Sequence, residues 1–353
     1  MTRPFLRSAS FALVTLASAL PSSAFACATC GCSLSTDAAM GFSAETGWRA
    51  SLQVDYLDQS QLRTGTHAIS RSSVARLNDA GGDQEVERDT VNRYVTLGLD
   101  YAPDADWSAR LLVPYVDRGH STYGSASNPV TPDERSGVNV TGLGDVRLIG
   151  TWQGLLPEKN LGFQLGLKLP TGDYGGPNAD GTGVVGRHPT PFGSGPIAAN
   201  PSPGNLVDTS LQPGTGSTDA IVGAFYHQPV SVNVEAFGSV QFQAAFANRL
   251  NQAGEDFRPG NTATVTAGAR YEVAPGFVPQ VQVNLYHKGR DQGALADNPD
   301  SAGTVAYVSP GATVTLVGNL QAFGFAQLPV YSHLVGIQLA PRWTASMGLS
   351  VGF

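Results

Sequence analysis

The chain has 353 residues, of which 42 are glycine and 23 proline, and only 14% are Asp, Glu, Lys or Arg. Charge this sparse excludes intrinsic disorder, which needs low hydrophobicity together with high charge. A formal net charge of −7 argues against nucleic acid as a partner, and 41% apolar residues without one long apolar run exclude a helical membrane protein.

Residues 1–26 read as an export signal. Arg3 and Arg7 make a basic start, Phe11 to Leu20 a short apolar run, and Ala24-Phe25-Ala26 a small-x-small exit before Cys27. The apolar run is too short to span a bilayer. Loss of Arg3 and Arg7 takes the formal charge from −7 to −9. Acylation of Cys27 as a lipoprotein is the alternative, although Phe25 fits a lipobox poorly. The mature start carries Cys27, Cys30 and Cys32, the only three cysteines. Gly31 stands where a haem-attachment motif needs His. In an oxidising compartment the set admits a disulfide with one thiol left over. It equally admits a Cu(I) or Zn²⁺ site completed by a ligand from elsewhere, or a redox site facing a periplasmic protein partner. Segment 27–45 is expected to be a periplasmic tail ahead of a barrel domain over 46–353.

From Gly47 the chain alternates at period 2. Trp48, Ala50, Leu52, Val54 and Tyr56 share one face, and Arg49, Ser51, Gln53 and Asp55 the other. The pattern returns at Val91–Tyr101, Trp107–Tyr115, Val146–Trp152 and Leu161–Leu169. It returns again near 217–228, 230–246, 261–273, 277–288, 304–317, 319–331 and 342–353. Twelve strands result. The connections at 58–89, 118–143, 172–216, 247–260, 289–303 and 332–341 are long. Those at 102–106, 155–159, Pro229, 274–276 and Gly318 are short. Alternating long and short connections predict an all-β, 12-stranded antiparallel up-and-down transmembrane β-barrel, with long extracellular loops and short periplasmic turns. Trp48, Tyr101, Trp107, Trp152, Tyr226 and Tyr271 are expected at the periplasmic edge of the lipid, and Tyr56, Tyr115 and Trp343 at the outer edge. The location implied is a bacterial outer membrane, with lipid as a partner.

Trp343, Ala345, Met347, Leu349, Val351 and Phe353 alternate to the last residue, which resembles the C-terminal signature of outer-membrane proteins. Three further stretches, Thr141–Leu148 (TGLGDVRL), Leu169–Tyr174 (LPTGDY) and Leu211–Asp219 (LQPGTGSTD), resemble the outer-membrane barrel family named for the MetA pathway of phenol degradation. The resemblance covers about residues 90–353 and implies a channel or transporter for small, including aromatic, molecules. It does not extend to the cysteine segment.

With apolar residues outward, the lumen receives Arg49, Arg110, Arg147, Lys168, Arg270 and Arg342, together with Asp55, Asp100, Asp145, Asp219, Glu235 and Glu272. Equal numbers of each sign give no strong field for ion selection. They serve either cross-strand pairing that stiffens the wall or a polar path for a neutral or zwitterionic solute. Tyr94, Phe225, Phe237, Phe323 and Phe325 also fall inward, as a small core or as an aromatic lining. In the 172–216 loop, Asp173, Asn178 and Asp180 offer oxygens for Ca²⁺ but lack the EF-hand spacing. Two other functions compete with transport: a non-conducting barrel that holds a periplasmic metal or redox partner, and a lipid hydrolase. For the hydrolase, His120-Ser121 and Ser332-His333 lie near the outer rim. Adjacent residues on extended chain point apart, so neither pair is itself a dyad, and no catalytic residues are assigned.

Overall fold

The computed structural model describes residues 46–82, 84–132, 135–172, 176–177, 183–184, 209–248, 256–294 and 296–353. The expected export signal at 1–26, Cys27, Cys30 and Cys32, and Asp173, Asn178 and Asp180 lie outside the described residues.

Period-2 alternation builds the wall. In β1 (Gly47–Gly65) Ser51, Gln53 and Asp55 are buried while Trp48, Leu52 and Val54 are exposed. The chain continues through β2 (His67–Ala68), α1 (Arg71–Asp79), β3 (Glu87–Ala102), β4 (Trp107–Thr122), β5 (Ser136–Leu143), β6 (Arg147–Trp152) and β7 (Leu161–Lys168). A two-residue pair, β8 (Gly176–Pro177) and β9 (Gly183–Val184), stands apart from the main sheet. Then come β10 (Ser217–Pro229), β11 (Val234–Asn248), β12 (Thr262–Tyr271), β13 (Phe277–Lys288), β14 (Gly303–Val317) and β15 (Leu320–Gly352). Every pairing is antiparallel, and β15 returns to β1, so eleven elements close a cylinder while β2 and β5 extend it from β1 and β4.

The closing element has 33 residues. Leu320–Leu334 pairs with β14, and Leu334–Gly352 pairs with β1. Gly336, at φ +74°, sits where the two stretches meet. The long loop expected at 332–341 is therefore strand. Leu339 and Ala340 are consecutive and both fully buried. Consecutive burial breaks the period-2 pattern, which is why the sequence reads as a loop there.

Short connections at 103–106, 153–160, 230–233, 272–276 and 318–319 lie at one end. At the other end, strand continues into two of the connections expected to be loops, 58–89 and 118–143. β1 runs on to Gly65, β4 to Thr122, and β5 occupies part of the expected 118–143 loop. Ser70 caps α1 by accepting from Ser73 N at 3.1 Å. Val74 and Ala75 of that helix pack with Leu62, Val86, Ala126 and Leu339 in a small core at the long-connection end.

The outer surface is apolar around the wall. Leu52, Leu97, Leu111, Leu165, Val222, Val240, Val283 and Leu349 are all exposed, as a lipid-facing barrel requires. Aromatic rings bound this belt in contacting pairs. Trp48 meets Tyr101 at 4.5 Å and Trp107 meets Trp152 at 6.2 Å near the short connections, while Tyr56 stacks on Trp343 at 4.9 Å toward the other end.

Candidate functional site: the inner wall of the barrel

The three glycine-rich motifs converge on one buried node. Lys168, at the end of β7, is 3% exposed, and its Nζ lies 3.0 Å from Asp145 Oδ2, 3.3 Å from Asp219 Oδ1 and 2.9 Å from Ser217 Oγ. It also donates to Thr215. Asp145 Oδ2 accepts from Thr215 N at 2.9 Å and from Thr215 Oγ1 at 2.7 Å, while its Oδ1 accepts from Gly172 N at 3.1 Å. Asp219 accepts from Ser217 Oγ and Gln243 Nε2, both at 2.6 Å. Three backbones crowd beside this node. A Cβ on Gly172 would sit 2.7 Å from Gly144 C and 2.8 Å from Gly214 Cα, so only glycine fits.

Other charges pair along the wall. Arg49, Asp100 and Arg110 occupy one row across β1, β3 and β4, with Asp100 and Arg110 ion-paired. Glu235 on β11 faces Arg270 on β12 at 2.8 Å, and His227 approaches the same carboxylate at 3.5 Å. Asp55, 1% exposed, accepts from Gln53 Nε2 at 2.9 Å and from Ser346 Oγ. Arg147 stands beside Lys168 in register but is exposed. Two further expected lumen residues, Arg342 and Glu272, are exposed as well. Arg342 is exposed at a register break, between the pairs Asp58↔Trp343 and Gln59↔Pro341. A bulge of this kind reverses which face a residue takes, and parity counted from sequence cannot show it. Glu272 is exposed just beyond β12, at the rim of a cavity of about 410 Å³ whose lining includes Glu235, Arg270, Gln280 and Gln321.

Uncharged side chains form a second network. Gln280 Nε2 donates to Gln282 at 2.7 Å, Gln282 Nε2 to Asn284 at 2.9 Å, and Asn284 Nδ2 to Ser309 Oγ at 2.9 Å and to Gln327 at 3.1 Å. Gln282, Ser309 and Gln327 are at most 1% exposed. Buried amides are tolerated because each is hydrogen-bonded.

Four inward phenylalanines follow one rule. Phe225 pairs with Gly162, Phe237 with Gly268 and Phe325 with Gly311 across neighbouring strands. In each pair a Cβ on the glycine would overlap the ring, and Phe323 lies in the same way against Gly348. The rings therefore rest flat on the wall instead of standing into the bore. Phe225 and Phe237 form one cluster, and Phe323 and Phe325 lie 6.5 Å apart. Tyr94 belongs to a polar group, since its hydroxyl accepts from Arg118 Nη2 at 2.9 Å.

Sequence reasoning missed Arg118, which is 7% exposed and also reaches Asn92 and Ser210 O. It missed the buried pair of Lys288 with Asp291 at 2.7 Å as well. Both sit where strands run past the apolar belt. Of the rim candidates, Ser121 Oγ donates to Asp89 at 2.6 Å and His120 Nδ1 lies 2.8 Å from Thr90 Oγ1. Both contacts run to β3, and neither joins His120 to Ser121.

No family model matches the sequence, and no curated protein does. Solved structures do. An outer membrane channel from Pseudomonas putida F1 superposes with a TM-score of 0.59 at 13% identity, over 89% of this chain and 98% of that one. The β domain of the Bordetella autotransporter BrkA gives 0.45 at 12% identity, over 87% and 100%. The translocator domain of NalP from Neisseria meningitidis gives 0.44 at 10% identity, over 88% and 90%. The chain has the closed antiparallel β-barrel fold of an outer-membrane channel, the architecture implied by the motifs that meet at Lys168.

Proposed function

We propose that the chain is an outer-membrane channel or transporter for a small, weakly polar solute, aromatic ones included. The observation that carries this reading is the inner wall. Its ion pairs neutralise one another, so charge gives little basis for selection, and the hydrogen-bonded amides and flat phenylalanine rings beside them add no charge to the wall. The apolar belt with aromatic edges supports insertion in a bilayer. In this reading residues 1–26 are the export address, the long connections face outside, and the short turns face the periplasm. We count twelve crossings, β15 supplying two, because it lies antiparallel first to β14 and then to β1. Such a bore falls between a filled eight-stranded barrel and an open sixteen-stranded porin. Cys27, Cys30 and Cys32 would hold Cu, Zn or a disulfide at the periplasmic mouth. Metal content that does not change when all three become Ser removes the metal version.

Planar-bilayer recording and vesicle uptake test the reading. Steady conductance steps with little preference for ion sign, and faster entry of a neutral aromatic alcohol than of its carboxylate analogue, are expected. Silence in both assays favours a second reading, a non-conducting barrel that serves as a scaffold. The nearly complete screening of Gln282, Ser309 and Gln327 is the observation on that side. Phospholipid hydrolysis that disappears on substitution of His120 or His333 would instead establish an enzyme.

A further inference from the structure

The long-connection end of the wall holds a cluster that a solute path does not use. Glu87 opens β3 and Glu85 precedes it by two residues, a spacing that puts both on one face of extended chain. His120 arrives from β4, where it pairs with Thr90 of β3. Each of the three offers one ligand atom, and these atoms lie within 4.8 Å of one another. His120 Nδ1 is 2.8 Å from the Thr90 hydroxyl, while Nε2 is 3.4 Å from Glu85 Oε1. The hydroxyl thus fixes the ring and directs Nε2 at the carboxylates, which is how metal-ligating imidazoles are held. His120 is 4% exposed and Glu87 0%. Glu85 is partly exposed; two carboxylates gathered this closely repel each other, and a divalent ion reverses that repulsion. Arg71 braces the start of β3, donating to the carbonyls of Glu87 and Arg88 at 3.1 and 2.7 Å.

We propose that Glu85, Glu87 and His120 bind one Zn²⁺ ion at the outer mouth of the barrel. An imidazole nitrogen with two carboxylate oxygens is a donor set for a borderline first-row ion, too nitrogen-rich for Ca²⁺ and without the sulfur that Cu(I) selects. Zinc takes such ligands at about 2.0–2.2 Å and leaves a fourth position for water. Binding would draw the three side chains together. The connection between β1 and β3 contributes Glu85 and the wall contributes His120. Val86, between the two glutamates, packs with Val74 and Ala75 of α1. The ion would therefore staple the helical cap to β4.

The test uses the full mature chain in detergent with Cys27→Ser, Cys30→Ser and Cys32→Ser, so that thiols cannot hold the metal. After chelation, the protein is titrated with zinc chloride and desalted, and bound zinc is measured by mass spectrometry alongside thermal melting. One zinc per chain is expected, with a rise in Tm. Affinity should fall at least tenfold in His120→Asn and in Glu85→Gln, the latter at a partly exposed position where folding is retained. Substoichiometric zinc, or equal retention in Glu85→Gln, overturns the proposal, as does calcium binding more tightly than zinc.

Discussion

Replacing Lys168 by Met should damage the barrel more than any other single charge removal in its wall. The side chain is 3% exposed, and the two carboxylates it joins are 7% and 1% exposed. Methionine keeps the length and leaves Asp145 and Asp219 without their shared cation. Asp145 retains donors from Thr215 and Gly172, and Asp219 retains Ser217 and Gln243, so the loss is Coulombic more than one of hydrogen bonding. Breaking a buried pair by removing one partner typically costs about 3–5 kcal/mol. At about 1.4 kcal/mol per decade, that lowers the folding constant by roughly two to four orders of magnitude. Urea titration in lipid vesicles, followed by the fluorescence of Trp48, Trp107, Trp152 and Trp343, measures it. The variant Lys168→Met with Asp219→Asn, which removes one carboxylate as well, should recover at least half of the loss. A single substitution within about 0.5 kcal/mol of the parent, the range of an ordinary surface change, refutes the reasoning. A double variant less stable than the single one also refutes it.

Four further outcomes follow from the geometry. Leu52 lies midway between Trp48 and Tyr56 on the outward apolar face, so if that face meets lipid as proposed, Leu52→Arg should cost about 2–4 kcal/mol in vesicles. Val232→Arg, at a fully exposed turn, should cost about 0.5 kcal/mol or less by the same titration. Gly162→Ala forces the Phe225 ring off the wall, with a loss of about 1–3 kcal/mol; adding Phe225→Leu should restore part of it, and a neutral Gly162→Ala would disprove the ring's position. Burial raises the Asp300 carboxyl above its usual 3.8, against the opposing Ile337 N–H and Arg290. The folded form then holds this proton more tightly than the unfolded one, so Asp300 destabilises the fold at neutral pH and the penalty fades as pH falls through the raised pKa. Asp300→Asn should therefore melt higher than the parent at pH 7 and lose that advantage toward pH 4; an advantage that is constant across pH contradicts the assignment.

The strands inside the belt are legible because an apolar outward face and packed polar groups on the inward one keep strict alternation, as in Trp48–Tyr56 and Trp107–Tyr115. Beyond the belt both faces meet water or protein. Asp58, Gln61 and Arg63 of β1 then carry no alternating signal, and the outer extensions read as loop. The glycine-rich motifs could be recognised as junctions. Their mutual contact could not, because Asp145 and Thr215 are 70 residues apart and meet only once β6, β7 and β10 are in register. The phenylalanine–glycine pairs are invisible for the same reason, since each partner sits on a different strand. His120 falls inside the expected 118–143 connection, whereas β4 continues to Thr122 and carries it on the wall.

Gly172 and Thr215 both donate backbone N–H groups to the carboxylate of Asp145. One carboxylate thus clasps two points of the chain 43 positions apart and fixes their separation. Because closure entropy grows only slowly with length, chain inserted between two points already clasped adds little to the cost of folding.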